Sequence, residues 1–314
     1  MLKFRICLLW LFAFFTFGCH TVLRPADNGL NSGWISAHYR SHQLSGRIWS
    51  VQERSFISER ALLKRIQRYN LLLLGEKHDN PDHHRLRSEL LRKLCKERPI
   101  GTVLFEQLAP GEGEKLGKIR DPDRIASILD WKKRGWPDFK FYKPLFEAAV
   151  GCRAKIDGAK TRRVDAKQQK QLQSSYLSKV REDTNLRNLR LKELKESHCN
   201  MVPEKILPKI LKRQKLWDAE MADALIKKSR SGGQVILLAG NGHIRKDYGV
   251  PRYLEAAGIK NSFLSLAFLE VRPELKSPPA YSLTLYAQKL PYDYVWFTPV
   301  YDPVDPCRKY FGRK

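Results

Sequence analysis

Residues 70–84 read NLLLLGEKHDNPDHH. Four consecutive leucines, Leu71 to Leu74, leave a strand no polar face, so this strand must be covered on both sides. Gly75 ends it. Asp79 or Asn80 can then cap a helix that carries Pro81 at its first position, where the missing N–H costs nothing. Leu86, Leu90, Leu91 and Leu94 follow at helical spacing within 82–98. Strand, glycine, cap and amphipathic helix together describe one half of a parallel α/β unit.

The same grammar recurs on both sides of this stretch. IGTVLFE (100–106), QVILLA (234–239) and NSFLSLAFLEV (261–271) read as strands, and AKIDGA (154–159) as a weaker one. Residues 46–57 suit a short strand or hairpin. Residues 58–69 suit a helix with Ser58 as N-cap. Further helices fit 121–134, 143–150 and 251–257, and SLTLYAQ (282–288) and YVWFTPVY (294–301) read as edge strands. Strands alternating with helices give an α/β class with a mainly parallel sheet flanked by helices. The basic, helix-favouring block at about 160–231 is interrupted by Pro203 and Pro208. It is too long for one crossover, so a smaller inserted helical subdomain is expected there.

The ends read differently. Lys3 and Arg5 precede an apolar run from Ile6 to Phe17, then Gly18-Cys19. A bilayer-spanning helix needs about 20 apolar residues and a secretory signal about 7–15, so residues 1–18 read as a signal peptide. Gly18-Cys19 is similar to a bacterial lipobox, with Cys19 the acylated residue and an uncleaved anchor the alternative. Thr16 and Phe17 stand where lipoboxes usually carry Leu and a small residue. Two or more acyl chains make such an anchor stable. Residues 19–45, rich in Ser, His, Gly and Pro, read as a tether. The α/β domain is expected over 46–300 and a tail over 301–314.

Export permits disulfides among Cys95, Cys152, Cys199 and Cys307, with no pairing deducible from spacing. No C-x-x-C or C-x-x-C-H is present, so neither a zinc ribbon nor covalent haem attachment is supported. The net charge of +25 falls to +23 without Lys3 and Arg5. Such a charge favours anionic lipid or acidic ligands; with a secretory signal, nucleic acid is not an expected partner. The cell envelope, facing the periplasm and most readily at the outer membrane, is the expected location.

GEKHDN (75–80) and GNGHIR (240–245) share G-x-x-H, each after a buried strand and before a helix. Ligands bind at the carboxyl edge of a parallel sheet. That edge would gather Glu76, His78, His243 and, at the end of its own strand, Glu106. Such a His/Glu set suits a transition metal such as Zn or Fe, with Glu76 or Glu106 as general base if the protein is an enzyme. His83 and His84 are further candidate ligands, although successive helical residues point about 100° apart, so only one faces the cluster easily. Arg245 can grip a carboxylate or pair with Asp247 or Glu76. Trp131, Trp136, Phe139, Phe141 and Tyr142 could wall a flat ligand. Tyr142 and Tyr248 are candidate haem-iron ligands.

The chain resembles the ChaN-like family of haem-binding uptake proteins, within the Tiki-like superfamily. LLLLGEKHDNPDHH (71–84), VLFEQ (103–107), SHCNMVPEKILPKILKRQKLWDAEMADAL (197–225), VILLAGNGHIRKDYGVPRYL (235–254) and YDYVWFTP (292–299) carry the resemblance. It spans about 50 to 300. It implies a parallel sheet with a smaller helical domain, haem binding in iron acquisition on a membrane lipoprotein, and haem held at a homodimer interface. The superfamily's paired motifs fall on Gly75–His78 and Gly240–His243, with the acidic partner at Glu106. Some relatives are metal-dependent hydrolases, the alternative function here. Two segments depart from the family: CRAKIDGAKTRR (152–163) is more charged than its usual apolar strand, and Trp217 stands where it usually shows Arg.

Overall fold

A computed structural model describes residues 33–311 apart from 118 and 120. The expected signal (1–18), Cys19, the first part of the expected tether and residues 312–314 lie outside the described residues. In chain order the elements are β1 (Ile48–Ser50), β2 (Ser55–Ile57), α1 (Glu59–Ile66), β3 (Leu71–Leu74), α2 (Pro81–Glu97) and β4 (Ile100–Phe105). Then come α3 (Pro122–Ile128), α4 (Phe139–Gly151), β5 (Lys155–Gly158), α5 (Ala166–Ser175), α6 (Thr184–Ser197) and α7 (Leu207–Ser229). The chain closes with β6 (Gln234–Leu238), α8 (Val250–Ala256), β7 (Phe263–Glu270), α9 (Tyr281–Thr284), β8 (Tyr294–Thr298) and α10 (Pro306–Phe311).

The sheet runs β2-β1-β8-β7-β3-β6-β4-β5, parallel from β8 to β5 with the antiparallel β1–β2 hairpin on one edge. The leucine strand β3 sits inside it, paired with β6 and β7. Leu72 and Leu74 face a core shared with α1, α2 and α4, while Leu71 and Leu73 face one shared with α7 and α8. All four are 1% exposed or less, and full burial of each stabilises the fold by roughly 1.5–3 kcal/mol. The caps form as the sequence requires. Ser58 Oγ accepts the Ala61 N–H, and Asn80 Oδ1 accepts those of Asp82 and His83.

Several expectations are corrected. Residues 33–45 are no free tether: Trp34, Ser36 and Leu44 are buried, and Asp82 accepts the backbone N–H groups of Ile35 and Ser36 (3.2 and 2.7 Å). A buried carboxylate in the first turn of α2 needs those donors, and polar composition hid the contact. The C-terminal tail is likewise fixed, since Cys307 on α10 is bonded to Cys199; the second disulfide joins Cys95 to Cys152. Strand β8 is interior because the β1–β2 hairpin pairs with its outer side. Residues 282–288 form no strand. Pro278 and Pro279 start a helical turn that runs into α9, and β8 already occupies the flank of β7. The 160–231 block also divides. From Leu216 onward α7 packs on the sheet as the crossover into β6, and Leu172 of α5 joins the same core, so only α6 and the start of α7 form an outlying helical layer with its own small core at Leu194, Leu207 and Leu211.

Candidate functional site

Register brings the two G-x-x-H segments side by side. Leu74 pairs with Leu238, and Leu238 with Phe105, so β3, β6 and β4 end at one level. From there the chain diverges, α2 onto one face of the sheet and α8 onto the other. A crevice must open where neighbouring strands send their helices to opposite faces, which is the general ligand site of open α/β sheets. Glu76, His78, Glu106 and His243 all reach this crevice. At Gly240 a Cβ would lie 3.0 Å from His78 Cε1 and 3.7 Å from Glu106 Oε2, so a side chain there would press on His78 and touch Glu106.

On the β3 side, Glu76 is buried under a network. Its Oε2 accepts from Arg87 and lies 3.0 Å from His84 Nε2; its Oε1 is 2.8 Å from His78 Nδ1. Gln107 Nε2 adds a longer contact at 3.4 Å. Burial alone would raise the Glu76 pKa, but Arg87, His84 and His78 together hold it well below the usual carboxylate range. His78 is 38% exposed and lies edge-on to Trp136 at 4.9 Å. Burial works against its charged form, and Glu76 overcomes that, so its pKa is raised. With Nδ1 held by Glu76, the His78 Nε2 is left facing the crevice.

The β6 side is closed. His243 Nδ1 lies 2.6 Å from Asp218 on α7, and Nε2 lies 3.3 Å from Glu106. Two carboxylates outweigh burial and push its pKa up to about 10, which favours the imidazolium, hydrogen-bonded to Asp218 and in charge contact with Glu106. Glu106 Oε2 also accepts the Gly240 N–H at 2.8 Å. Burial opposes its charge, yet His243, His78 and Lys160 hold its pKa far below the ordinary value. Lys160 Nζ stands 3.8 Å from Glu106 and 4.1 Å above the Trp217 ring. The cation beside Glu106 thus comes from the flank of β5, and Trp217 forms its platform.

These contacts correct the proposed ligand set. The two nitrogens of His83 are spent, Nδ1 accepting from the Lys77 N–H and Nε2 donating to Thr298 Oγ1; burial depresses its pKa well below the usual value. It is a neutral core histidine. His84 is buried against Glu76, Arg87 and Tyr142, a support for the cluster with no route to a ligand. Tyr142 is fully buried, and its hydroxyl has no hydrogen-bond partner and no opening to the crevice. Tyr248 lies between Arg190 and Arg245 (4.2 and 4.3 Å) and donates to Glu193. Arg245 is bidentate to Asp247. Of the aromatic run 131–142, Trp131, Phe139 and Tyr142 pack with Phe146 as core, and Trp136 alone stacks on a cluster histidine facing the crevice.

The expected transition-metal centre (Zn or Fe on Glu76, His78, Glu106 and His243) is also corrected. Among the described residues, no group of three or more His, Cys, Asp or Glu side chains could hold a metal ion. The physical reason is charge pairing: His243 is held between the Asp218 and Glu106 carboxylates, and Glu76 Oε2 is taken by Arg87. Burial among cations also holds both Glu76 and Glu106 in the ionised form. Sequence reading missed Arg87, Gln107, Lys160 and Asp218. For Asp218 a signal existed, an acid amid the apolar face of α7.

The crevice opens into a cleft of about 850 Å³, inside the range of about 300–1,000 Å³ common for ligand and cofactor sites. One wall is apolar, with Phe268, Leu269, Val271, Tyr281, Leu285 and Tyr292. His78 lies on the floor, and Arg272 lines the edge.

The model of the haem-binding uptake family, Tiki superfamily, ChaN, matches residues 62–254. Among solved structures, ChaN of Campylobacter jejuni, described with cofacially bound haem, is similar at a TM-score of 0.61 and 22% identity, over 79% of this chain and 95% of that one. At that identity the likeness shows a shared fold. The type III effector HopBA1 (TM-score 0.44, 13% identity, 76% of this chain and 92% of that) and an open form of the erythromycin esterase EreC (0.43, 12%, 84% and 99%) are more distant. No curated protein matches the chain significantly.

Proposed function

This chain belongs to the ChaN family of haem-binding uptake proteins in the Tiki superfamily, and from that premise we propose that it binds haem in the cleft at the β3–β6 edge as part of haem acquisition. The observation that carries the reading is His78. Its Nδ1 is tied to Glu76 and its Nε2 makes no hydrogen bond among the described residues, the arrangement in which a carboxylate fixes the tautomer of an iron-ligating imidazole. A haem ring needs apolar surface to lie on, which the partly exposed Leu269 and Leu285 offer in the cleft. Its propionates need cations, and Arg272 is an exposed one at the cleft edge. His78 would hold haem there through Nε2, and the haem would supply the iron centre.

The two disulfides support an oxidising compartment. With the sequence at 1–19 they favour export and a lipid on Cys19, at the periplasmic face of the envelope. No helix among the described residues is long and apolar enough to cross a membrane. Tyr39 and Val304, both exposed at the cleft mouth, favour a second copy closing over the site.

Titrating residues 20–314 with haem tests the reading. A saturable Soret shift at defined stoichiometry is expected, lost or displaced in His78→Ala. No saturable shift in the wild-type protein would overturn it. Cys19→Ser should move the protein from the membrane to the soluble fraction; unchanged membrane association would point to an uncleaved anchor.

A further inference from the structure

The outlying helical layer does not close on the sheet completely. Where α5, α6 and the start of α7 meet α8, a chamber of about 320 Å³ remains. Its floor is apolar, made by Leu177, Leu211, Leu216 and Tyr253. Its walls are cationic: Arg181, Arg187, Arg190, Lys212, Lys215 and Arg252 line it against only two carboxylates, Glu182 and Asp247. Both acids are already engaged. Glu182 holds Lys215 and lies 3.4 Å from Arg190; Asp247 holds Arg245 at 2.7 Å. Arg187 and Lys212 are exposed at the rim and form no ion pair among the described residues.

Arg190 is the decisive group. Only 4% of its side chain is exposed. Its Nη2 has no hydrogen-bond partner, and Asp218 is 4.0 Å away. The guanidinium is thus incompletely paired, with Nη2 turned towards Asp218 and Nη1 donating to Glu182 only at a long 3.4 Å on the chamber side, and an anion in the chamber, which Arg190 lines, would complete that pairing. Guanidinium geometry favours carboxylate and phosphate oxygens.

We propose that this chamber binds a small anionic amphiphile, a phosphate or carboxylate headgroup bearing a short apolar tail. Arg190 takes the headgroup, Arg187 and Lys212 add charge at the rim, and the tail lies on Leu177, Leu211 and Leu216. The chamber is separate from the haem cleft. A smaller space of about 140 Å³, lined by Arg190, Tyr248, Asp218 and His243 among others, lies between them. The proposal therefore does not depend on haem binding.

Calorimetric titration of the full chain with octyl phosphate, below its micelle concentration, tests it. One saturable site is expected, with inorganic phosphate and uncharged octanol each weaker by about tenfold or more, since each lacks one half of the recognition. Arg190→Gln should weaken binding by about tenfold or more, the loss of a charge-assisted pair. Because Arg190 is buried, its variant is first checked by thermal melting, and the exposed pair Arg187→Ser with Lys212→Ser serves alongside it, with a severalfold loss expected. Absence of saturable binding would overturn the proposal. So would inorganic phosphate binding as tightly as octyl phosphate, or octyl phosphate binding the variants and the wild type alike. Sedimentation with phosphatidylglycerol vesicles, competed off by octyl phosphate, would support a membrane lipid as the source. Saturable octyl phosphate binding with no competable sedimentation would support a free amphiphile.

Discussion

The two G-x-x-H segments end neighbouring strands in the same way, yet their histidines do opposite things. His78 is half-exposed, tied at one nitrogen to Glu76 and open at the other. His243 is held at both nitrogens between Asp218 and Glu106. The difference comes from what lies beyond the motif. Arg87 on α2 takes Glu76 Oε2, leaving Oε1 to hold His78 at Nδ1 alone. On the other side α7 delivers Asp218 to an already acidic place, and the imidazole must carry a proton to balance it. One motif therefore leaves a histidine nitrogen open, and its twin closes into a structural ion triad.

The largest effect expected from breaking this contrast is at Glu76. Glu76→Ala leaves Arg87 buried without its carboxylate, and removing one partner of a buried pair costs about 3–5 kcal/mol. Thermal unfolding should report a fall of about 10 °C for a domain of this size; a change of a degree or two would mean that Arg87 finds another acceptor.

His243→Gln comes next. It leaves Asp218 and Glu106 facing each other without the imidazolium, at a cost of about 2–3 kcal/mol. Its signature is in pH. The folded pKa of His243, about 10, exceeds the ordinary 6.5. Its contribution is therefore fully present below about 6.5 and is lost as pH rises towards 10. Wild-type stability should fall over that window, and the variant should lose that slope; parallel curves would show that His243 is neutral in the fold. Glu76 and Glu106, whose pKa values are depressed, act in the opposite sense. Their contribution is present above the ordinary carboxylate value of 4.5 and disappears as pH drops below it.

The smallest stability effect belongs to His78→Ala, about 1 kcal/mol or less for so exposed a side chain, with the haem spectrum nonetheless altered. The proton also competes with iron for Nε2. Because the His78 pKa is raised above 6.5, haem affinity should weaken as pH falls through that raised value. Affinity that stays flat from pH 8 to pH 6 in Soret titrations would remove His78 as the axial ligand.

Much of this was legible before any fold was known. Continuous leucines, Asn80-Pro81 and Ser58 act through local rules of burial and capping, so β3, α2 and α1 appear where the sequence puts them. The gathering of Glu76, His78, Glu106 and His243 was legible too, because parallel strands align their carboxyl ends. Other elements were decided by neighbours. SLTLYAQ alternates like a strand, but the sheet had no free edge for it. Residues 33–45 are polar like a tether, but Asp82 holds their backbone. Tyr142 and His83 have the right chemistry for ligands, yet packing places one in the core and satisfies both nitrogens of the other.

The amino-acid sequence by itself determined the sheet, its covering helices, the family and the four residues that meet at the strand edge, since these follow from periodicity, capping and strand direction. Only the tertiary structure decided which histidine is free. That depends on charges brought from α2 and α7, whose separation along the chain bears no relation to their distance in space, and on whether each buried proton finds a partner there.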